Sequence, residues 1–335
     1  MTTTIEDIGI AMQPVERLSR DLRAAAGLLS RAEARYLVDT YYALQEQRIR
    51  AHGVLRSAGE EPNTLVTYVA RQYEVLENDA RRALQGYAEG QEAGRWAMRI
   101  KGIGPVLAAG LLAHIDVTKT PTVGHIWRFA GLDPTVTWQS KDKAAALYAE
   151  AAGDTPEAKL RAVAASLGQR VETFIDFASA DAKGNDRKIT AETAKAAIAR
   201  RPWNADLKTL CWKVGESFVK VQGYDDDVYG HVYVERRALE DARNARGEFA
   251  EQAAYSLANK RYRADTVARG EYEAGRLPAA RLYLRAKRYA VKLYLAHLHH
   301  VMFEVEYGQP PPRPYVIEHL GHTHFIEPPL WPMAK

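Results

Sequence analysis

The chain has 335 residues, 47% of them hydrophobic and 26% charged, with a formal net charge of +4. That balance excludes a disordered tail and is enough for two or three modest cores. One cysteine, Cys211, excludes an internal disulfide framework and a thiolate-rich zinc site.

Helical periodicity dominates from the start. From Val15 to about Arg56, apolar residues such as Leu18, Leu22, Leu37 and Leu44 recur at three- and four-residue steps, with a break near Gly27 to Ser30. This spacing predicts a helical hairpin. A second long helix is expected after Pro62-Asn63-Thr64, running through Val66, Val69, Tyr73, Leu76 and Leu84 to the glycines Gly86, Gly90 and Gly94. The opening residues lack a basic then apolar leader pattern, and no window approaches the roughly 18 apolar residues of a membrane span, so a cytoplasmic placement is expected.

The stretch IKGIGPVLAAGLLAHID, Ile100 to Asp116, sets two glycines and a proline ahead of a small-residue apolar helix. Gly102 and Gly104 can take backbone angles closed to other residues, and Pro105 suits the first helical turn. The N–H groups near Val106 and Leu107 then project from a positive helix end, where a phosphate can sit against the backbone of Lys101, Gly102, Ile103 and Gly104. Ala108 to Ala113 are small enough for the preceding helix to cross closely. A plain helix-turn-helix corner fits the same residues.

After this turn comes TKTPTVGHIWRFAGLDPTVTW, Thr118 to Trp138. Together the two stretches resemble the C-terminal transposase domain of the bacterial insertion-sequence recombinases that pair it with a RuvC-like DEDD domain and a guiding bridge RNA. That family carries a helix-hairpin-helix of the form GIGPVxAAxLLA followed by AGLxP, matched by Gly102 to Ala113 and by Ala130 to Pro134. The likeness resumes weakly over Arg201 to Val221, where the family has a basic helix. No β-branched, alternating runs occur in the first hundred residues, so the RuvC-like nuclease half is not expected there. A nucleophilic serine follows AGLxP in the family, and Ser140 lies near that place, one residue late and without the following glycine. The same serine fits a helix N-cap ahead of Asp142 and Lys143.

Gln139 to Arg200 reads as short alanine-rich helices with polar turns at Ala151 to Lys159 and Ser179 to Lys188, and receives no chemistry. From Trp203 an amphipathic helix sets Leu207, Leu210, Val214, Phe218 and Val221 on one stripe, and the run Asp225 to Asp227 is read as stabilising the next helix start. That next helix carries Tyr229, Tyr233, Arg236, Arg237, Arg243 and Arg246, which suit either base stacking and phosphate contact or an ordinary packed helix. After Pro278, Arg281, Arg285, Arg288 and Lys292 share one face, with Leu282, Ala286, Tyr289 and Leu293 beside it, and no acidic residue lies between Leu277 and Met302. An uncompensated cationic stripe of this kind calls for an anion, and a nucleic-acid backbone fits better than a membrane surface. Near the end, His319, His322 and His324 could converge on a metal ion with His299 or Glu318, or serve as hydrogen-bonding residues of a strapped tail.

The expected fold is mainly α and multi-helical: an N-terminal helical hairpin or bundle, a central helix-hairpin-helix, and C-terminal long helices with an extended Pro/His-rich tail. Its expected divisions are an N-terminal helical domain over 1–97, a helix-hairpin-helix module over 98–138, a helical insertion over 139–200, a basic transposase-like region over 201–308 and a tail over 309–335. The leading functional expectation is a non-sequence-specific DNA-binding protein of a mobile element or prophage. It would act in recombination or transposition on duplex or branched DNA, with RNA or a recombinase as further partners, in a bacterial or phage-infected cell. The alternatives are a serine-nucleophile recombinase using Ser140 and a metal-dependent nucleic-acid hydrolase using the C-terminal histidines. No cofactor is called for, and a divalent metal enters only with the last reading.

Overall fold

The computed structural model describes residues 25–58, 64–181, 183–312 and 326–333. Among the described residues it contains fourteen α-helices, two short 3-10 turns and no strand, so the expected mainly α, multi-helical class is what is found. No described helix is long and apolar enough to cross a membrane. The described residues fall into two compact units, the first drawn from within 1–127 and 209–335 and the second from within 128–208.

In the first unit, α1 (Arg31–Ser57) opens on a capping box in which the Ser30 hydroxyl accepts from the Glu33 amide while the Glu33 carboxylate accepts from the Ser30 amide. It packs lengthwise against α2 (Thr64–Glu89). Next come α3 (Glu92–Arg99), α4 (Pro105–His114) and α5 (Val123–Phe129). Helix α4 is apolar on every side and its residues from Ala108 to Ala113 are all buried, as a helix with no polar face must be. It lies against both α1 and α2.

Small residues make this close packing possible. A Cβ at Gly94 in α3 would stand 2.1 Å from the Ala88 carbonyl oxygen and 2.9 Å from Leu112 Cδ1, and one at Gly110 would stand 2.9 Å from Leu210 Cδ1. The bland composition of α4 is thus a packing requirement.

The second unit holds α6 (Lys141–Glu150), α7 (Pro156–Ser166), α8 (Val171–Ser179) and α9 (Ala191–Ile198) around a core of Leu160, Val163, Phe174, Ala178, Ala194 and Ile198. The polar turn after α8 closes on Asp181, whose carboxylate accepts from the Lys183 and Asn185 amides.

Chain order continues with α10 (Ala205–Val221), α11 (Val228–Ala245), α12 (Ala250–Asn259), α13 (Val267–Glu273) and α14 (Ala279–Tyr307), which ends at Gly308 in the left-handed conformation, φ 67°. The first unit's aromatic centre comes from four helices. Tyr294 of α14 stacks on Trp96 of α3 and meets Phe218 of α10 and Tyr229 of α11 edge-on, with ring centroids 6.0, 5.5 and 5.2 Å away. Residues 326–333 lie on this body: the Trp96 indole donates to the Pro329 carbonyl and the Trp331 indole to the Glu304 carboxylate, each at 2.8 Å.

Candidate nucleic-acid interface

The turn between α3 and α4 is built from the main chain. Ile103 donates to the Ile100 carbonyl at 2.9 Å, Gly102 takes φ +90°, and Gly104 forms the N-cap of α4 with Pro105 in the first helical turn. Ile103 and Val106 bury their side chains while Gly104 is exposed. With a glycine at the cap, no side chain satisfies the first amides of α4, and its first turn holds no acid. The amides of Val106 and Leu107 are therefore the groups available to an anion. The Ile103 amide, also a candidate, is occupied by Ile100.

Lys101 is not a freely projecting cation. Its ammonium pairs with Asp226 at 3.2 Å and lies 4.4 Å from the centre of the Tyr224 ring. Of the acidic run, Asp226 thus answers Lys101, while Asp227 takes the N-cap position of α11 and is buried.

The four basic residues of α14 sit in four different environments. Arg281 donates to the Tyr272 hydroxyl at 3.3 Å, and Arg285 donates to Glu240 at 2.8 Å with its guanidinium 4.6 Å from the Phe249 ring centre. Arg288 is exposed and has no ion pair among the described residues, and Lys292 lies 4.0 Å from the Trp127 ring centre. The expectation of an uncompensated stripe needs correction, because the compensating acid comes from a neighbouring helix. Glu240 of α11 is fully buried and is reached by Arg236 at 2.5 Å, Arg285 at 2.8 Å and Arg243 at 3.9 Å.

Glu248 adds a second acid, pairing with Arg243 and Arg246, each at 2.6 Å. Four guanidiniums (Arg236, Arg243, Arg246, Arg285) therefore face two carboxylates, which leaves this network with an excess of two positive charges. Burial alone would raise the Glu240 pKa, but the hydrogen bonds and charges of Arg285 and Arg236 outweigh it and hold the carboxyl below its ordinary value. Tyr289, on the face beside the basic residues, is 40% exposed with the Arg236 guanidinium 4.6 Å from its ring centre. Sequence reading missed this joint α11/α14 network because its members lie far apart in the chain.

Ser140 is the N-cap of α6, its hydroxyl accepting from the Lys143 amide at 3.3 Å. His319, His322, His324 and Glu318 lie outside the described residues. His299 is buried with Nε2 2.7 Å from the Thr120 carbonyl oxygen, which removes that nitrogen from metal ligation. Among the described residues no group of His, Cys, Asp and Glu could hold a metal ion.

No curated protein and no solved structure matches the chain. Residues 95–156, running from α3 through the turn and α4 to the first residue of α7, match the model of the transposase IS116/IS110/IS902 family, consistent with a transposase-family C-terminal domain.

Proposed function

We propose that the chain is a DNA-binding protein of transposition or recombination that grips the phosphate backbone through the uncapped start of α4, helped by the cationic α11/α14 face. One observation carries the reading. The segment similar to the transposase family contains a helix that starts at an exposed glycine, with no capping side chain for its first amides and no acid in its first turn. Such an end attracts phosphate by its dipole and its unpaired N–H groups. Contacts of this type read the backbone and not the bases, so binding spans sequences and weakens steeply with salt. DNA is the partner that the family likeness suggests, and duplex or branched DNA is the form proposed here.

Gly104→Asp tests this directly, since φ −85° and ψ 173° suit any residue and a Cβ there meets nothing within 4 Å. The new carboxylate caps α4 and occupies the amides that a phosphate would use. The expected result is stability equal to wild type or higher by up to about 1 kcal/mol, with duplex affinity at least about tenfold lower. Unchanged duplex affinity in a mobility-shift titration overturns the proposal.

A further inference from the structure

The unit of residues 128–208 presents a cluster of rings and guanidiniums that the reading above leaves unused. Trp138 is 45% exposed, yet its indole N–H donates to the Ala199 carbonyl at 2.8 Å, so the ring is fixed in place. The residues that follow Ala199 are Arg200 and Arg201. The Arg201 guanidinium lies 5.2 Å from the Trp138 ring centre and that of Arg200 lies 4.2 Å from the Phe177 ring centre. Both arginines are exposed, and among the described residues neither has a carboxylate partner.

Trp203 continues the patch. It lies against Gly131, where a Cβ would come 2.8 Å from the indole Cγ, and carries the Lys208 ammonium 3.9 Å from its ring centre. Gln139, beside Trp138, is 4% exposed and leaves its Oε1 without a hydrogen-bond partner among the described residues.

Flat π faces, guanidiniums held over them and two arginines without counter-charges among the described residues match the chemistry of unpaired nucleotides, whose bases stack while their phosphates pair with cations. A paired duplex keeps its base faces covered and cannot use such a surface. A protein partner would be expected to bury an apolar groove, whereas here each ring carries a cation. We infer that the Trp138–Arg201 surface binds single-stranded nucleic acid by base stacking. This rests on the chain's being a nucleic-acid-binding protein but uses residues separate from the α4 turn.

The test is fluorescence anisotropy on the full chain with a dye-labelled oligothymidylate and a duplex of equal length. Trp138→Ala and Arg201→Ala are expected to weaken single-strand binding at least about fivefold while duplex binding stays within about twofold, and Trp138→Phe to keep most of the affinity. Gly104→Asp should give the opposite pattern. Single-strand affinity unchanged in Arg201→Ala and in a Trp138→Ala protein that keeps its helical circular dichroism overturns the inference, as does an equal loss for duplex. If Gly104→Asp leaves duplex binding intact while Trp138→Ala still weakens the single strand, the turn reading fails and the stacking surface stands.

Discussion

The Ser217 hydroxyl donates to the Gly102 carbonyl across 2.5 Å, and this bond seats the α3–α4 turn on α10. A methyl at Gly102 would stand 3.1 Å from Ser217 Oγ and 3.2 Å from Val221 Cγ2, at a backbone φ of +90°. Phe218, between Ser217 and Val221 in contact with the turn, belongs to the aromatic centre, stacking on Tyr229 at 4.9 Å. The position of the uncapped amides is thereby set by the unit's core. Gly102→Ala is expected to cost about 1–3 kcal/mol through strain and crowding, and Ser217→Ala about 1 kcal/mol through the lost hydrogen bond. Gly104→Ala, in open space at an ordinary φ, should cost less than about 1 kcal/mol. Urea unfolding ranks the three, and equal stability of the two glycine variants would refute the distinction.

Glu240 holds the α11/α14 network together. Replacing it with Gln keeps the volume and removes the charge that Arg236 and Arg285 face, a change expected to cost about 2–4 kcal/mol because the site is buried. Its carboxyl pKa is lowered in the folded chain, so its stabilising contribution is complete above the unfolded value near 4.3 and is lost as pH falls below that value. Thermal unfolding of Glu240→Gln should therefore show a lower Tm at neutral pH and a shallower acid limb than wild type. Glu248→Gln, altering an exposed acid, should lower Tm less.

Ser140 invites a simple discrimination. Its hydroxyl accepts the Lys143 amide, so Ser140→Ala should cost about 1 kcal/mol of stability through the lost cap. Duplex binding and any strand transfer measured with the chain should be unchanged. A complete loss of strand transfer in a well-folded Ser140→Ala protein would instead make this serine the nucleophile.

Much of the helical layout was legible because periodicity is a local signal. A helix after Pro278 was readable from its repeat, and the structure buries Leu282 and Ala286 as that repeat implies, while Tyr289 is exposed and the buried line continues instead through Ala290, Tyr294, Leu298 and Met302 to a helix end at Tyr307. The α3–α4 turn was legible in part: Gly102 takes the positive φ open to glycine and Pro105 starts the helix, while Gly104 adopts an ordinary extended conformation. Charge compensation was not legible. Arg285 stands in a run without acids, and its partner Glu240 arrives from another helix, 45 residues away in the chain. The same applies to Trp138 and Arg201: each looks like a lone surface residue until the fold brings Ala199 to the indole N–H. Long-range pairing depends on helix register and crossing, which periodicity leaves undetermined.

His297 supplies a pH dependence separate from that of Glu240. It lies buried in α14 with Nδ1 2.7 Å from the Tyr229 hydroxyl oxygen and Nε2 2.9 Å from the Ile326 carbonyl oxygen. A neutral ring satisfies both contacts, Nε2–H donating to Ile326 and Nδ1 accepting from Tyr229. Burial pushes its pKa down to about 4, with His300 adding to the fall and the Ile326 carbonyl opposing it. In the unfolded chain the ring titrates near 6.5, so above that pH it is neutral in both states and adds no pH dependence. Between pH 6.5 and about 4 the unfolded chain binds a proton that the folded chain refuses, and stability falls by up to about 1.4 kcal/mol per pH unit. His299, whose pKa is also lowered mainly by burial, contributes with the same sign. His297→Gln keeps a donor for Ile326 and removes this titration. Its stability should be lower than wild type at pH 7.5, yet its further loss on going to pH 5 should be smaller by about 1–2 kcal/mol. Parallel pH profiles for the two proteins in urea unfolding would show that the ring takes up its proton in the folded chain as readily as in the unfolded one, which overturns this prediction.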